Sequence, residues 1–131
     1  MISSARAFLV SSVGVLCISL PLFAHHSTGT VYDVSEDKEV SLVGTVTKVE
    51  WQNPHIHIYV DVKDNSGKVV NYAVEGGTPN SLYRRGWRKD DLMPGDVVTI
   101  AGAAPSRNGS PRVHLGSITT ADGREFFSGR N

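Results

Sequence analysis

From His55 to Val62 the chain alternates without a break: Ile56, Ile58, Val60 and Val62 point one way, and His55, His57, Tyr59 and Asp61 point the other. A period of two is the pattern of a strand with one buried face. It excludes a helix here, because a 3.6-residue repeat would scatter those four aliphatic side chains around the axis. Asp64-Asn65-Ser66-Gly67 then reads as a hairpin turn, with Gly67 suited to a left-handed backbone, and Lys68 to Glu75 returns as the partner strand. A turn at Asn65-Ser66-Gly67 pairs Asp64 with Lys68. Continuing that register sets Ile58 opposite Val74 and His57 opposite Glu75, and it is the register that gathers every apolar residue on one side.

The rest of the chain extends this hairpin. Val40 to Trp51 alternates as well, and Gly44 in its middle suggests a bulge or sharp bend. Gln52-Asn53-Pro54 breaks the run before the second strand. Gly76-Gly77 ends the third. Thr78 is a good helix N-cap, Pro79 fits the first helical position and Gly86 fits the left-handed exit, which predicts one short helix. Leu92-Met93-Pro94-Gly95-Asp96 is a turn into a strand at Val97 to Gly102. A loop over Ala104 to Pro111 leads to a fifth strand at Val113 to Thr120, and Asp122-Gly123 turns into a short edge strand at Arg124 to Phe127. The order β-β-β-α-β-β, with one helix between the third and fourth strands, is that of an all-β, five-stranded, OB-fold-like Greek-key barrel spanning residues 39–127.

Residues 1–24 stand apart from that domain. Met1 to Ala7 carries one Arg and no acid, Ala7 to Phe23 is mostly apolar, and Ala24 offers a small residue for cleavage. This is the form of a secretory signal peptide, too short in its apolar part for a spanning helix. The expectation is an exported protein, periplasmic or secreted, starting at His25 with no membrane span after cleavage. Residues 25–38 show no pattern and are expected to be a flexible N-terminal segment. The single cysteine, Cys17, lies within the signal, so the mature domain depends on packing without a disulfide. Thirteen basic residues balance 13 acidic ones, which lacks the electrostatic footprint of a nucleic-acid binder.

Four features occur together: His25-His26-Ser27 at the mature start; Trp51-Gln52-Asn53-Pro54-His55 between strands one and two; Ser81 to Trp87 (SLYRRGW) across the helix end; and Leu92 to Asp96 (LMPGD) followed downstream by Arg107-Asn108-Gly109 and Ala121-Asp122-Gly123. In these the chain resembles a family of small exported bacterial proteins catalogued only as a domain of unknown function. The resemblance implies export and a small β domain and carries no activity with it. The strand and helix layout is also similar to exported bacterial OB-fold proteins, a likeness of fold that does not extend to function.

The side chains that could carry chemistry are few. No Gly-x-Ser-x-Gly elbow or phosphate-cradling loop occurs, which sets a small hydrolase-type enzyme last among the readings. Arg84, Arg85, Arg88 and Lys89 suit the negative end of the helix dipole. Trp51 and Trp87 sit at element ends, where an aromatic usually closes the rim of a small core. The five histidines are more informative. His25 and His26 are adjacent at the expected mature terminus, and His55 and His57 share one strand face beside Glu75. Cleavage before His25 would free an α-amino group that, with the His25 imidazole, can chelate one ion. A third nitrogen from His26, His55 or His57 would complete a T-shaped site suited to Cu(II), and Zn(II) would instead take a tetrahedral set that could include Glu75. Such a site resembles the histidine brace of exported copper proteins. The leading expectation is therefore a non-enzymatic binding protein for copper or zinc, with His25, His26, His55, His57 and Glu75 as candidate metal residues. The competing expectation is a metal-free structural or accessory subunit docking on an envelope partner, with the strand histidines as ordinary polar surface.

Overall fold

The computed structural model describes residues 27–127. Within them the chain forms α1 (Thr28–Val31), a 3-10 turn (Glu36–Lys38), β1 (Val40–Glu50), β2 (His57–Lys63), β3 (Val69–Glu75), α2 (Pro79–Arg84), β4 (Val97–Pro105), β5 (Arg112–His114), β6 (Ser117–Thr120) and β7 (Glu125–Phe127). β1, β2 and β3 form an antiparallel meander. β5 runs parallel to β3 and antiparallel to β4, and β4 pairs back onto β1. The ring β1-β2-β3-β5-β4 closes the five-stranded barrel, and β6 and β7 extend the sheet beyond β4.

The hairpin has the register its alternation demands. Ile58 pairs with Val74 and His57 with Glu75. Asp64 accepts from the backbone N–H groups of Ser66 and Lys68, and Gly67 takes a φ of +86°. Ile56, Ile58, Val60 and Val74 are fully buried and meet Val98, Ile100, Val113 and Ile118 in the barrel interior. α2 lies between β3 and β4 as expected. The Thr78 hydroxyl accepts from Ser81 N at 3.2 Å. At the other end Gly86 has φ +96°, Gly86 N donates to Tyr83 O, and Trp87 N donates to Leu82 O. That paired exit leaves Leu82 and Trp87 on one side, and both are buried in the core. The helix cap thus delivers Trp87 inward.

Three details depart from the sequence pattern. Gly44 carries no bulge: it stays in register with both Val62 and Val98, and the irregularity on the β1–β2 side falls between Val46 and Lys48. A Cβ at Gly44 would collide with the Asp61 carbonyl and the Val60 side chain, so close backbone approach is what requires glycine there. The single strand expected over Val113 to Thr120 is divided at Leu115-Gly116. A Cβ at Gly116 would meet the carbonyls of Ala101 and Gly102. The chain switches at that point from β3 and the end of β4 to the start of β4. Finally, the N-terminal stretch contributes a second short helix, α1, and an anchor. Tyr32 is 2% exposed and forms a bridge with Ser106. Its apolar neighbours Val31 and Val34 are exposed, so the apolar residues of this stretch follow no period that marks Tyr32 as buried.

Candidate functional site

The polar face of the β2–β3 hairpin converges on Glu75, at the last position of β3. Its carboxylate is mostly covered, with 16% of the side chain exposed. The pairing register explains who meets it. His57 stands opposite on β2, and His114 stands beside it on the parallel strand β5. Opposed residues in a ladder share a face, so one rung carries His57, Glu75 and His114, and continues to Glu50, which pairs with His57 across β1. His55, just before β2, swings back onto the same carboxylate.

The distances define the cluster. His55 Nδ1 lies 2.8 Å from Glu75 Oε1. The Tyr32 hydroxyl donates to Glu75 Oε2 at 2.5 Å. Arg112 Nη2 is 3.6 Å and His57 Nε2 4.0 Å from Oε2. The Tyr32 ring packs on His114 with centroids 5.6 Å apart, and the His57 ring stacks along Tyr59 at 6.5 Å. Tyr59 in turn donates to Glu50 Oε2 at 3.0 Å. Burial, and then the bond to Glu75, push the Tyr32 phenol well above its ordinary range, so it remains a donor. The bond to Glu50 likewise raises Tyr59. The Lys48 ammonium, followed by the Tyr59 hydroxyl, lowers Glu50.

A carboxylate 2.8 Å from Nδ1 favours the imidazole tautomer that carries its proton there, and the lone pair then resides on Nε2. With 44% of its side chain exposed, His55 can offer that lone pair to an ion from solvent. Glu75 has a different part: both of its oxygens face protein groups. Among the described residues no three His, Cys, Asp or Glu side chains converge as a ready metal set.

Of the residues singled out in the sequence, His55, His57 and Glu75 are brought together. His25 and His26 lie outside the described residues. Sequence reasoning missed Tyr32 and Arg112, and it left His114 unassigned. The parallel pairing of β5 with β3, implicit in the barrel topology, is the signal that could have placed His114 and Arg112. Trp51 and Trp87 lie 6.4 Å apart at 32°. A cleft of about 470 Å3 lined by Arg85, Gly86, Trp87, Glu125 and Phe126 opens at Trp87, but Trp87 is buried in the core and leaves little ring face for stacking a ligand.

Fold and site together define a small closed β-barrel with a carboxylate-centred histidine and tyrosine cluster on its β2–β3 face. The chain belongs to a family of unknown function (DUF6152), whose model matches residues 12–114. No curated protein and no solved structure matches it.

Proposed function

We propose that this is an exported, non-enzymatic binding protein that holds a copper ion between its mature amino terminus and the His55 imidazole. The observation that carries the reading is the 2.8 Å approach of Glu75 Oε1 to His55 Nδ1. It is the support that metal-ligating histidines ordinarily have, one ring nitrogen on a carboxylate and the other free for the ion. The Glu75 oxygens are engaged by neighbours, which supports a positioning part for this residue, with His57 or His26 as further nitrogen donors. The amine and imidazole of His25 with one more nitrogen make the tetragonal set that suits Cu(II); Zn(II) would take a tetrahedral arrangement.

The test is a Cu(II) titration of protein beginning at His25, of the same protein with one alanine added before His25, and of His55→Ala. Both changes remove a donor. Each is expected to weaken binding by more than the roughly tenfold that loss of a supporting residue brings.

A second reading, a metal-free accessory subunit on an envelope partner, is favoured by the outer face of β1 and β4. Val43 and Val97 are 58% and 50% exposed there, at diagonal positions of the ladder. Equal copper affinity in all three proteins would favour it.

A further inference from the structure

The cleft of about 470 Å3 lies where the exit of α2 meets β7. That volume is within the range of small-molecule sites, and the lining shares no residue with the Glu75 cluster. Its shape follows from the two elements that make it. Gly86, at φ +96°, turns the chain so that Trp87 enters the core while Arg85 stays exposed. On β7, Phe126 pairs with Ile118 and packs its ring against Trp87, with centroids 4.7 Å apart. Glu125, beside it, stays exposed. β7 is the last strand of the sheet, with no strand beyond it among the described residues.

The cleft carries one charge of each sign. Among the described residues, neither the Arg85 nor the Glu125 side chain is tied to a partner. The neighbouring guanidinium groups are engaged. Arg88 lies 3.9 Å from the centre of the Tyr83 ring and donates to Trp87 O at 2.7 Å, and Arg124 donates to Asp122 Oδ2 at 2.9 Å. A ligand of a single charge would answer one side chain and leave the other facing it unpaired, at a cost in affinity. We infer that this cleft binds a small zwitterion with an apolar body, an amino acid or dipeptide, with its carboxylate on Arg85, its ammonium on Glu125 and its apolar part against Phe126. A guanidinium suits the carboxylate because two parallel N–H groups can meet its two oxygens. The buried Trp87 holds the Phe126 ring in place without itself stacking on the ligand. This site stands or falls independently of the copper reading.

The probes are L-phenylalanine, N-acetyl-L-phenylalanine, which lacks the ammonium, and L-phenylalaninamide, which lacks the carboxylate. L-alanyl-L-phenylalanine sets the two charges one residue further apart and distinguishes a dipeptide from a free amino acid. Each is titrated into protein expressed from the full chain. Tryptophan emission reads the affinity, because Trp87 lines the cleft, and the amide shifts of Gly86 and Glu125 read the place. Both charges are exposed to water, so a Kd on the order of 1 mM is expected for the better zwitterion. Loss of either ligand charge should weaken binding about fivefold, the upper end for an exposed ion pair. Arg85→Gln should bring L-phenylalanine down to the level of its amide, and Glu125→Gln to the level of its N-acetyl derivative. Thermal melting reports the integrity of the barrel in both variants. Tighter binding of the amino acid or of the dipeptide supports the site and says which of the two it takes. Equal affinity for L-phenylalanine and its two derivatives would overturn the inference, since the cleft would then be an apolar surface only. Charge preference that survives both substitutions would also overturn it, as would the absence of a response to either zwitterion at its solubility limit.

Discussion

His57 and Glu75 face each other directly across β2 and β3, with His57 Nε2 4.0 Å from Glu75 Oε2. The same rung continues to Glu50 on one side and His114 on the other, so acid and imidazole alternate over four strands. This row follows from the odd and even positions of the strands. Once Ile56, Ile58 and Val74 are committed to the core, His55, His57 and Glu75 must share the opposite face. Core packing and the site are consequently two sides of one register.

Ile58 tests that register from the inside. It is fully buried at the centre of the core. Ile58→Ala is expected to cost about 2–5 kcal/mol, the usual range for truncating a buried isoleucine, read from the midpoint of urea unfolding. A near-neutral result would mean that this strand presents its other face to the core.

Gly44 tests the closure of the barrel. β1 pairs with β2 and β4 at this residue, and a Cβ would collide with the Asp61 carbonyl. Gly44→Ala should therefore destabilise by about 1–3 kcal/mol or more, as crowding of a packed interior does. This is opposite to the small gain that alanine brings at an unstrained glycine. Unfolding of the variant beside the unaltered protein decides the sign.

The hairpin was legible because its signal is local: strict alternation, an Asp-Asn-Ser-Gly turn and one register that sorts every aliphatic inward. The helix was legible at both ends, from Thr78-Pro79 and from Gly86. What escaped were features set by partners distant in the chain. The need for Gly44 comes from the Asp61 carbonyl, and the break at Gly116 from the carbonyls of Ala101 and Gly102. Tyr32 owes its place to Glu75 and Ser106, both far from it in sequence. With Val31 and Val34 beside it both exposed, no periodicity in this short stretch singles out Tyr32. Half of the candidate site, His55, His57 and Glu75, could be read from alternation; Arg112 and His114 depended on which strand runs parallel to β3, and Tyr32 on where the segment before β1 packs.

Tyr32 and Tyr59 give the protein an alkaline limit. Both phenols are raised, Tyr32 chiefly by burial and Tyr59 chiefly by its bond to Glu50. A raised pKa means the folded state keeps its proton after the unfolded chain has lost it. The stability from this source is complete below about pH 10, the ordinary tyrosine value, and falls as pH rises beyond it. Urea midpoints measured on either side of about pH 10 should show that decline. Tyr32→Phe and Tyr59→Phe should each flatten it. An unchanged slope in both would place the alkaline loss elsewhere.

Export is tested by processing. The Arg-bearing start, the apolar stretch and Ala24 predict cleavage between Ala24 and His25. Mass spectrometry of protein recovered from outside the cytoplasm should show His25 as the first residue. An intact Met1 on a membrane-bound product would contradict export by cleavage and would remove the free amine that the proposed copper site requires.

Glu75 offers the sharpest separation of support from ligation. Its carboxylate accepts the Tyr32 hydroxyl and stands within ion-pair distance of His55, Arg112 and His57. Glu75→Gln keeps the shape, but it removes the charge and turns an N–H2 group toward at least one of these donors. Hydrogen bonds to charged groups are worth about 1.5–3 kcal/mol each, and a mismatched partner leaves a covered donor unanswered, so a loss of stability of that order is expected. Copper affinity should fall by about tenfold to a hundredfold, the mark of a supporting residue. The spectrum of the bound Cu(II) should be unchanged, because the nitrogen ligands remain. A direct ligand behaves differently: losing it would change the donor set and with it the spectrum. An altered Cu(II) spectrum in Glu75→Gln would move Glu75 into the proposed coordination sphere, and unchanged affinity would detach the carboxylate from the proposed metal site altogether.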